Sequence, residues 1–225
     1  MEVRPHTKPN RQGVPVTATR HNAIELITRQ KVVPVIRTPT RALAQAQCEL
    51  LVEAGYRVLE VTLTVPDAEG LIAELAQDDR LCVGAGTVLS PDQARAAADV
   101  GAGFLVSPVA PDWFVQLGRA LTLECVPGVA TPSEAFAARA SGARLIKVFP
   151  IARLGGAAFI RDLLAPMPEL ALMATGGVSA TDAGELLDAG CVAVGLGSLL
   201  SDPVLGETQS ERAAAALQLV GGSIA

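Results

Sequence analysis

One theme recurs eight times along this chain: a β-branched apolar run, a turn, and then an alanine-rich amphipathic stretch. The eight strand-like runs lie at 32–37, 57–63, 81–87, 103–107, 121–126, 143–149, 169–175 and 190–196. Alternating β-α units in series build a parallel sheet whose helices cover its outer face. Eight such units predict a (β/α)8 barrel, a TIM barrel, with an extra N-terminal helix near 21–30.

The connections between the units carry helix-start and helix-stop chemistry. Ser90-Pro91-Asp92-Gln93 and Thr131-Pro132-Ser133-Glu134 each place a cap residue, a proline and a reciprocal capping partner in order. Gly55, Gly101, Gly142 and Gly190 stand where helices are expected to end. The rival fold is an open doubly wound sheet, but its dinucleotide fingerprint is incomplete, because Leu200 occupies the place of the third glycine after Gly195 and Gly197.

Composition limits the partners of the protein. The 225 residues carry a net charge of −5, which argues against a nucleic-acid partner or an anionic membrane surface. No apolar run reaches the roughly 18 residues that a membrane helix requires, so we expect no membrane partner either. Residues 1–20 are locally basic and lack an apolar core segment, which favours a flexible N-terminal tail. We therefore expect one barrel domain at 21–225.

The cysteines and histidines do not form a metal-binding pattern. Cys48, Cys82, Cys125 and Cys191 are far apart and lie in apolar context, and the only two histidines, His6 and His21, are near the N-terminus. No CxxC spacing occurs, so we expect no metal and no cofactor. Buried cysteines that stay reduced indicate a cytoplasmic protein.

A charged side chain interrupts the sixth apolar run. Lys147 is one of only three lysines, with Lys8 in the tail and Lys31 before the first strand. Burial disfavours the ammonium form, and a neutral amine is a nucleophile toward carbonyl carbons. The segment therefore indicates Schiff-base chemistry, and the alternative is a lysine that extends to solvent from a strand end.

Strand alternation places a carboxylate in the same interior. In the second run, Leu59, Val61 and Leu63 would face the helices, which turns Glu60, Thr62 and Thr64 toward the barrel axis. The same rule turns Lys147 inward. Glu60 is then the natural acid-base partner of the amine, unless the two form only a structural ion pair.

Glycine turns follow the last two strands. Thr175-Gly176-Gly177-Val178-Ser179 and Gly195-Leu196-Gly197-Ser198 would expose backbone N–H groups where helices open. Barrels commonly hold phosphate at this place. The pattern therefore favours a phosphate group at the C-terminal end of the barrel.

Seven short motifs, taken in this order, resemble the 2-keto-3-deoxy-6-phosphogluconate / 4-hydroxy-2-oxoglutarate (KDPG/KHG) aldolase family. They are Val-Leu-Glu-Val-Thr-Leu at 58–63, Val-Gly-Ala-Gly-Thr-Val-Leu at 83–89, Ser-Pro at 107–108, Pro-Gly at 127–128, Lys-Val-Phe-Pro at 147–150, Thr-Gly-Gly-Val at 175–178 and Gly-Leu-Gly-Ser at 195–198. The resemblance spans roughly residues 22–203. It implies a class I aldolase, a carbon-carbon lyase that is a homotrimer and uses no metal.

The resemblance also implies roles for individual residues. Lys147 would form the imine with pyruvate and Glu60 would be the general acid and base. The pyruvate pocket would be shaped by Thr87, Pro108, Phe149 and Thr175, and the distal phosphate would be held by Gly176, Gly177, Gly197 and Ser198.

One departure from the family pattern concerns the substrate carboxylate. Gluconate-type members have an arginine after Glu-Val-Thr-Leu, where this chain has Thr64. The 6-phosphogalactonate-type branch instead has an arginine at the end of the first strand, and Arg37 stands there. Arg37 is therefore expected to bind the substrate carboxylate, unless it is only a surface residue of the turn.

The function that these observations imply is cleavage of a 2-keto-3-deoxy-6-phospho sugar acid to pyruvate and glyceraldehyde 3-phosphate. The small-molecule keto acid is the expected partner. One alternative is a 4-hydroxy-2-oxoglutarate aldolase that gives pyruvate and glyoxylate. Another is a phosphate-binding barrel that is not an aldolase, in which Lys147 acts only as a cation.

Overall fold

The computed structural model describes residues 22–201, 206, 208–219 and 221. Within them, nine parallel strands form one sheet in the order β5-β4-β3-β2-β1-β9-β8-β7-β6. The strands are β1 Val32–Ile36, β2 Val58–Thr62, β3 Cys82–Gly86, β4 Phe104–Val106, β5 Glu124–Val126, β6 Gly128–Val129, β7 Ile146–Val148, β8 Leu172–Thr175 and β9 Ala193–Leu196. The predicted TIM-type barrel is confirmed.

The ninth strand arises because the fifth predicted strand is divided. β5 pairs with β4 and β6 pairs with β7, and only Pro127 separates the two pieces. Proline has no N–H to donate to a ladder, while its carbonyl still accepts the backbone N–H of Lys147 at 2.8 Å. Because β5 and β6 are continuous in the chain, they bring the two ends of the sheet together into a nearly closed barrel.

Helices connect the strands. They are α1 Ala23–Gln30, α2 Arg41–Glu53, α3 Ala68–Leu75, α4 Pro91–Asp99, α5 Trp113–Ala120, α6 Pro132–Ala140, α7 Ile151–Leu154, α8 Ala157–Leu164, α9 Ala180–Asp188 and α10 Gln209–Leu219. The capping boxes expected at Ser90 and Thr131 are both present. The four predicted helix-stop glycines all have positive φ, between 93° and 111°, which a side chain would disfavour.

The core has an outer layer and an inner one, as strand alternation predicts. Leu59, Val61, Ile146 and Val148 belong to the outer layer between sheet and helices. The inner layer fills the N-terminal half of the barrel with side chains such as Val58, Phe104, Leu145 and Met173, and α1 packs beneath it through Ala23, Ile24 and Ile27. The extra N-terminal helix therefore closes the bottom of the barrel.

Gln30, the last residue of α1, ties this closing helix to the sheet. Its fully buried amide donates to the carbonyls of Val32 and Val58 at 2.7 and 2.8 Å. Its carbonyl oxygen accepts the backbone N–H groups of Arg57 and Val58 at 2.7 and 2.9 Å. The paired residues of β1 and β2 are Val35–Glu60 and Ile36–Val61, near the C-terminal ends of the strands. Gln30 thus replaces ladder hydrogen bonds where β1 and β2 begin.

The predicted tail, residues 1–20, lies outside the described residues, so the division into a tail and one barrel domain stays a prediction. Both histidines lie there or at position 21, which is also outside them. Among the described residues, no helix is long and apolar enough to cross a membrane.

Candidate active site

A lysine and a glutamate meet inside the barrel. Lys147 is the middle residue of β7 and Glu60 is the middle residue of β2. Their side chains are 8% and 1% exposed, and Lys147 Nζ lies 4.0 Å from Glu60 Oε1. Two opposite charges that are buried at this distance stabilise each other. The contact still leaves hydrogen-bonding capacity on both groups.

The Glu60 carboxylate occupies space left by a glycine and makes no hydrogen bond in the described structure. A Cβ at Gly86, on the neighbouring strand β3, would overlap Glu60 Oε1, so only glycine leaves space for this side chain. Both carboxylate oxygens are buried without a hydrogen bond in the described structure. A buried polar group in this state is costly, and both oxygens remain available to a substrate hydroxyl or to water.

Aromatic and hydroxyl groups surround the amine. Lys147 Nζ lies 5.3 Å from the centre of the Phe149 ring, within the range of a cation–π contact. The Thr175 hydroxyl at the end of β8 is buried and has no hydrogen-bond partner in the described structure. A Cβ at Gly195, on β9, would overlap the Thr175 methyl group. Glycine at 195 therefore lets Thr175 stand beside the cavity.

Arg37 lies at the mouth of the barrel, directly after β1. Its two terminal nitrogens donate to the hydroxyl oxygens of Thr64 at 3.3 Å and Thr87 at 3.1 Å. Thr87 follows β3 with φ of +62°, which is unusual for a β-branched residue. The first three βα loops thus meet at one guanidinium group.

A cavity of about 360 Å³ opens beside these groups. Eight of the predicted site residues line it: Arg37, Lys147, Phe149, Thr175, Gly176, Gly177, Gly197 and Ser198. Sequence reasoning did not assign Val35, Val178 and Gly195 to the site, although they also line the cavity. The alternation that turns Arg37 inward also turns Val35 inward, so Val35 could have been found, whereas Val178 gave no signal.

The glycine turn after β8 requires its glycines. Gly176 and Gly177 have φ of +89° and +76°. A Cβ at Gly176 would also come within 2.7 Å of the Phe149 ring. Ser179 then caps α9 in a capping box with Asp182. This glycine turn and residues Gly197 and Ser198 therefore line the same cavity, and α9 begins directly after the turn.

Three predicted site residues are not part of the cavity wall. Glu60 lies behind it and reaches the site through its contact with Lys147. Thr87 reaches the site only through its contact with Arg37. Pro108, after β4, packs against Gly128, where a Cβ would overlap the Pro108 backbone. This contact belongs to the junction between β4 and β6, so a role for Pro108 in the pyruvate pocket stays a prediction.

The cysteines are packing residues. All four are buried and none is in a disulfide, and burial raises the pKa of each thiol to about 12. Across the described residues, no group of three or more His, Cys, Asp or Glu side chains could hold a metal ion.

A parallel (β/α)8 barrel that presents an amine and a carboxylate together at its C-terminal end has the groups that a Schiff-base lyase, a class I aldolase, requires. The family model for KDPG and KHG aldolases matches residues 23–215. The chain belongs to this family of aldolases, which are aldehyde-lyases.

Curated relatives come from both branches of the family. The chain is 34% identical over 176 residues to the 2-dehydro-3-deoxy-6-phosphogalactonate aldolase of Escherichia coli, with 76% of this chain and 84% of the relative covered. It is 32% identical over 166 residues to the 2-dehydro-3-deoxy-phosphogluconate aldolase of Pseudomonas aeruginosa, with 73% and 76% covered.

Solved structures agree with this assignment. A native KDPGal structure is 31% identical, with a TM-score of 0.75 and coverage of 84% of this chain and 93% of that one. The KDPG aldolase of Legionella pneumophila, with pyruvate captured as a covalent carbinolamine, is 27% identical, with a TM-score of 0.75 and coverage of 88% and 97%.

Proposed function

We propose that this enzyme cleaves a 2-keto-3-deoxy-6-phospho sugar acid reversibly into pyruvate and glyceraldehyde 3-phosphate, with an imine on Lys147. The observation that carries the proposal is the buried pair of Lys147 and Glu60 beside an open cavity. The relatives named for the two epimeric phosphosugar acids support this class of substrate.

The reaction begins with the amine. Neutral Lys147 Nζ attacks the C2 keto carbon, and the carbinolamine loses its hydroxyl as water to give a protonated imine. The positive nitrogen then draws electrons from the C3–C4 bond. At 4.0 Å from Nζ, the Glu60 oxygen is too far for a good direct hydrogen bond. Protons are therefore exchanged between the two groups through the substrate hydroxyl or a bridging water.

Glu60 controls the cleavage step. Its carboxylate takes the proton of the C4 hydroxyl, the C3–C4 electrons move into the imine, and glyceraldehyde 3-phosphate leaves as the aldehyde. The enamine that remains is protonated at C3 by the acid form of Glu60. Water then hydrolyses the imine and releases pyruvate. The oxygens of Glu60 suit this double role, because no hydrogen bond within the described part of the chain holds them.

The two anionic ends of the substrate have different binding groups. We assign the carboxylate to Arg37, whose guanidinium can form paired hydrogen bonds with it. The phosphate is assigned to the backbone N–H groups of the turns at 176–177 and 197–198, whose residues line the same cavity as Arg37. Phe149 and Thr175 then enclose the pyruvate portion between these ends.

Borohydride reduction in the presence of pyruvate tests the chemistry. We expect irreversible inactivation and a mass increase on a single peptide that contains Lys147. Labelling at Lys31, or no labelling, would contradict the imine assignment.

A substrate panel tests the specificity. It comprises both epimeric 6-phosphates, their unphosphorylated forms and 4-hydroxy-2-oxoglutarate, each scored by pyruvate release. We expect the galactonate-type phosphate to be the best substrate, because Arg37 occupies the position typical of that branch. Equal rates with and without phosphate would remove the phosphate site from the proposal and favour 4-hydroxy-2-oxoglutarate.

We also propose a cytoplasmic homotrimer. Four buried cysteines, none of them in a disulfide, suit a reducing compartment. One solved chain that is 31% identical is part of a cage designed by fusing symmetric oligomeric domains. Sedimentation velocity tests this, with three times the 23.1 kDa chain mass as the expected result.

A further inference from the structure

Thr62 and Thr64 form a chain of hydroxyl groups that leads to Arg37. Thr62, the last residue of β2, is fully buried, and its hydroxyl donates to the carbonyl of Ile36 at 3.0 Å. The hydroxyl oxygens of Thr62 and Thr64 are 2.8 Å apart. Thr64 in turn accepts a hydrogen bond from Arg37.

The direction of each hydrogen bond along these hydroxyl groups follows from counting their protons. A threonine hydroxyl has one hydrogen to donate. Thr62 uses its hydrogen on Ile36, so Thr64 must be the donor in the contact between the two threonines. The Thr64 oxygen is then free only to accept, which is the state that a guanidinium requires. The order is Arg37 to Thr64 to Thr62 to the Ile36 carbonyl.

We infer that Thr62 and Thr64 are positioning residues that hold the Arg37 guanidinium in the plane needed to bind the substrate carboxylate. Arg37 is exposed and follows the strand end, so its side chain would otherwise sample many rotamers, at an entropic cost on binding. The hydroxyl chain starts from a backbone carbonyl of a buried strand residue and transmits its fixed position to the mouth of the barrel.

Thr87 completes the arrangement from the other side. It accepts from the second terminal nitrogen of Arg37. Of the five N–H groups of the guanidinium, two are used by threonines, which leaves three for a ligand. Because Thr64 has no proton left to donate, it does not bind the carboxylate itself. A threonine at this position therefore acts only through the arginine.

This inference rests on the proposed role of Arg37, and a double-mutant cycle separates the two. The single variants are Arg37→Ala and Thr64→Val, together with the double variant. The readouts are kcat and KM for cleavage and the inhibition constant of pyruvate. We expect Arg37→Ala to raise KM and the pyruvate constant roughly 10- to 100-fold, because a hydrogen-bonded charge is lost. Thr64→Val should raise both about 5- to 20-fold, with kcat nearly unchanged, because uniform binding is weakened.

The double variant decides whether Thr64 acts through Arg37. Once Arg37 is absent, Thr64→Val should have no further effect on either constant, so the two changes are strongly non-additive. Additive effects would mean that Thr64 acts on its own and would overturn the inference while leaving Arg37 in place. No effect of Arg37→Ala would instead remove the carboxylate assignment itself.

Conservative and distant variants exclude a merely structural effect. Thr64→Ser and Thr62→Ser retain the hydroxyl and should restore KM to within about threefold of the parent. Thr62→Val should reproduce the KM increase of Thr64→Val, because it frees the Thr64 proton to reorient. Thr28→Val makes the same chemical change on α1, where the hydroxyl only donates to Ile24, and should leave KM unchanged. A KM increase in Thr28→Val, or failure of serine to rescue, would contradict the proposal.

Discussion

Buried polar side chains are hydrogen-bonded at one end of the barrel and lack hydrogen bonds at the other. At the N-terminal end, the buried amide of Gln30 makes four hydrogen bonds to backbone groups. At the C-terminal end, the buried oxygens of Glu60 and the hydroxyl of Thr175 have no hydrogen-bond partner within the described structure. A satisfied network fixes one arrangement, whereas an unsatisfied one is costly and available to a ligand. The hydrogen bonds at the first end stabilise the fold, whereas the buried groups at the second end are the ones that we propose for catalysis.

The two ends also differ in how they use threonines with a left-handed backbone conformation. Thr122 lies before β5 and Thr87 lies after β3, and both have positive φ, 56° and 62°. The Thr122 hydroxyl donates to the neighbouring carbonyl of Leu121, while the Thr87 hydroxyl accepts a hydrogen bond from Arg37. Two threonines with similar left-handed conformations therefore differ in their contacts, because only Thr87 contacts a residue that lines the cavity, Arg37.

The largest expected effect comes from Lys147→Arg. A guanidinium keeps the charge opposite Glu60 but cannot form the imine, so turnover and borohydride trapping should both fall to background while the fold is retained. Circular dichroism and a pyruvate-release assay check this. Lys31→Arg, at the N-terminal end, is the matched control and should behave like the parent. Residual trapping in the Lys147 variant would place the imine elsewhere.

Glu60→Gln should be the next largest change. Loss of the proton-transfer group should lower kcat by about 10²- to 10⁴-fold. Slow imine trapping should persist, because Lys147 is intact. Glu124→Gln removes a carboxylate at the start of β5, where Glu124 pairs with Arg144, and should leave kcat unchanged. If the Glu60 variant keeps near-parental turnover, Glu60 is only the counter-ion of Lys147.

Gln30→Met tests the other end of the barrel. Removing the amide leaves buried backbone groups of β1 and β2 without partners, which should lower the free energy of unfolding by about 3 kcal/mol. Urea unfolding measures this, and kcat of the folded enzyme should be unaffected. Gln77→Met, at an exposed position, should change stability by less than about 0.5 kcal/mol. A drop in kcat at unchanged stability would mean that Gln30 contributes to catalysis and not to the stability of the fold.

The smallest effects compare Thr87→Gly with Thr122→Gly. Glycine relieves a left-handed conformation but adds unfolded-state entropy, so both variants should stay within about 1 kcal/mol of the parent. Only Thr87→Gly removes a partner of Arg37 and should raise KM, by about 3- to 10-fold. Parallel thermal unfolding and kinetics check this pair. Equal KM values in both variants would remove Thr87 from the site.

Local patterns predicted most of the fold. Eight strand-like runs predicted eight barrel strands, and the capping boxes and helix-stop glycines formed where the residues indicate. These features depend on a few consecutive residues, since caps and turns are made by neighbours in the chain. The interruption at Pro127 was missed, because an apolar run ending in proline does not reveal that pairing resumes at Gly128 with a different strand.

The sequence by itself determined which side chains are chemically out of place. A lysine inside an apolar run, a glutamate on the inward face of another, and glycines after the last two strands are visible without any structure. Only the tertiary structure decided which of them meet and which stand apart. Gln30 joins the starts of two strands, Arg37 reaches two loops, and Pro108 lies outside the cavity wall. Such contacts depend on strand register and barrel closure, because residues distant in the chain become neighbours only when the whole sheet has closed.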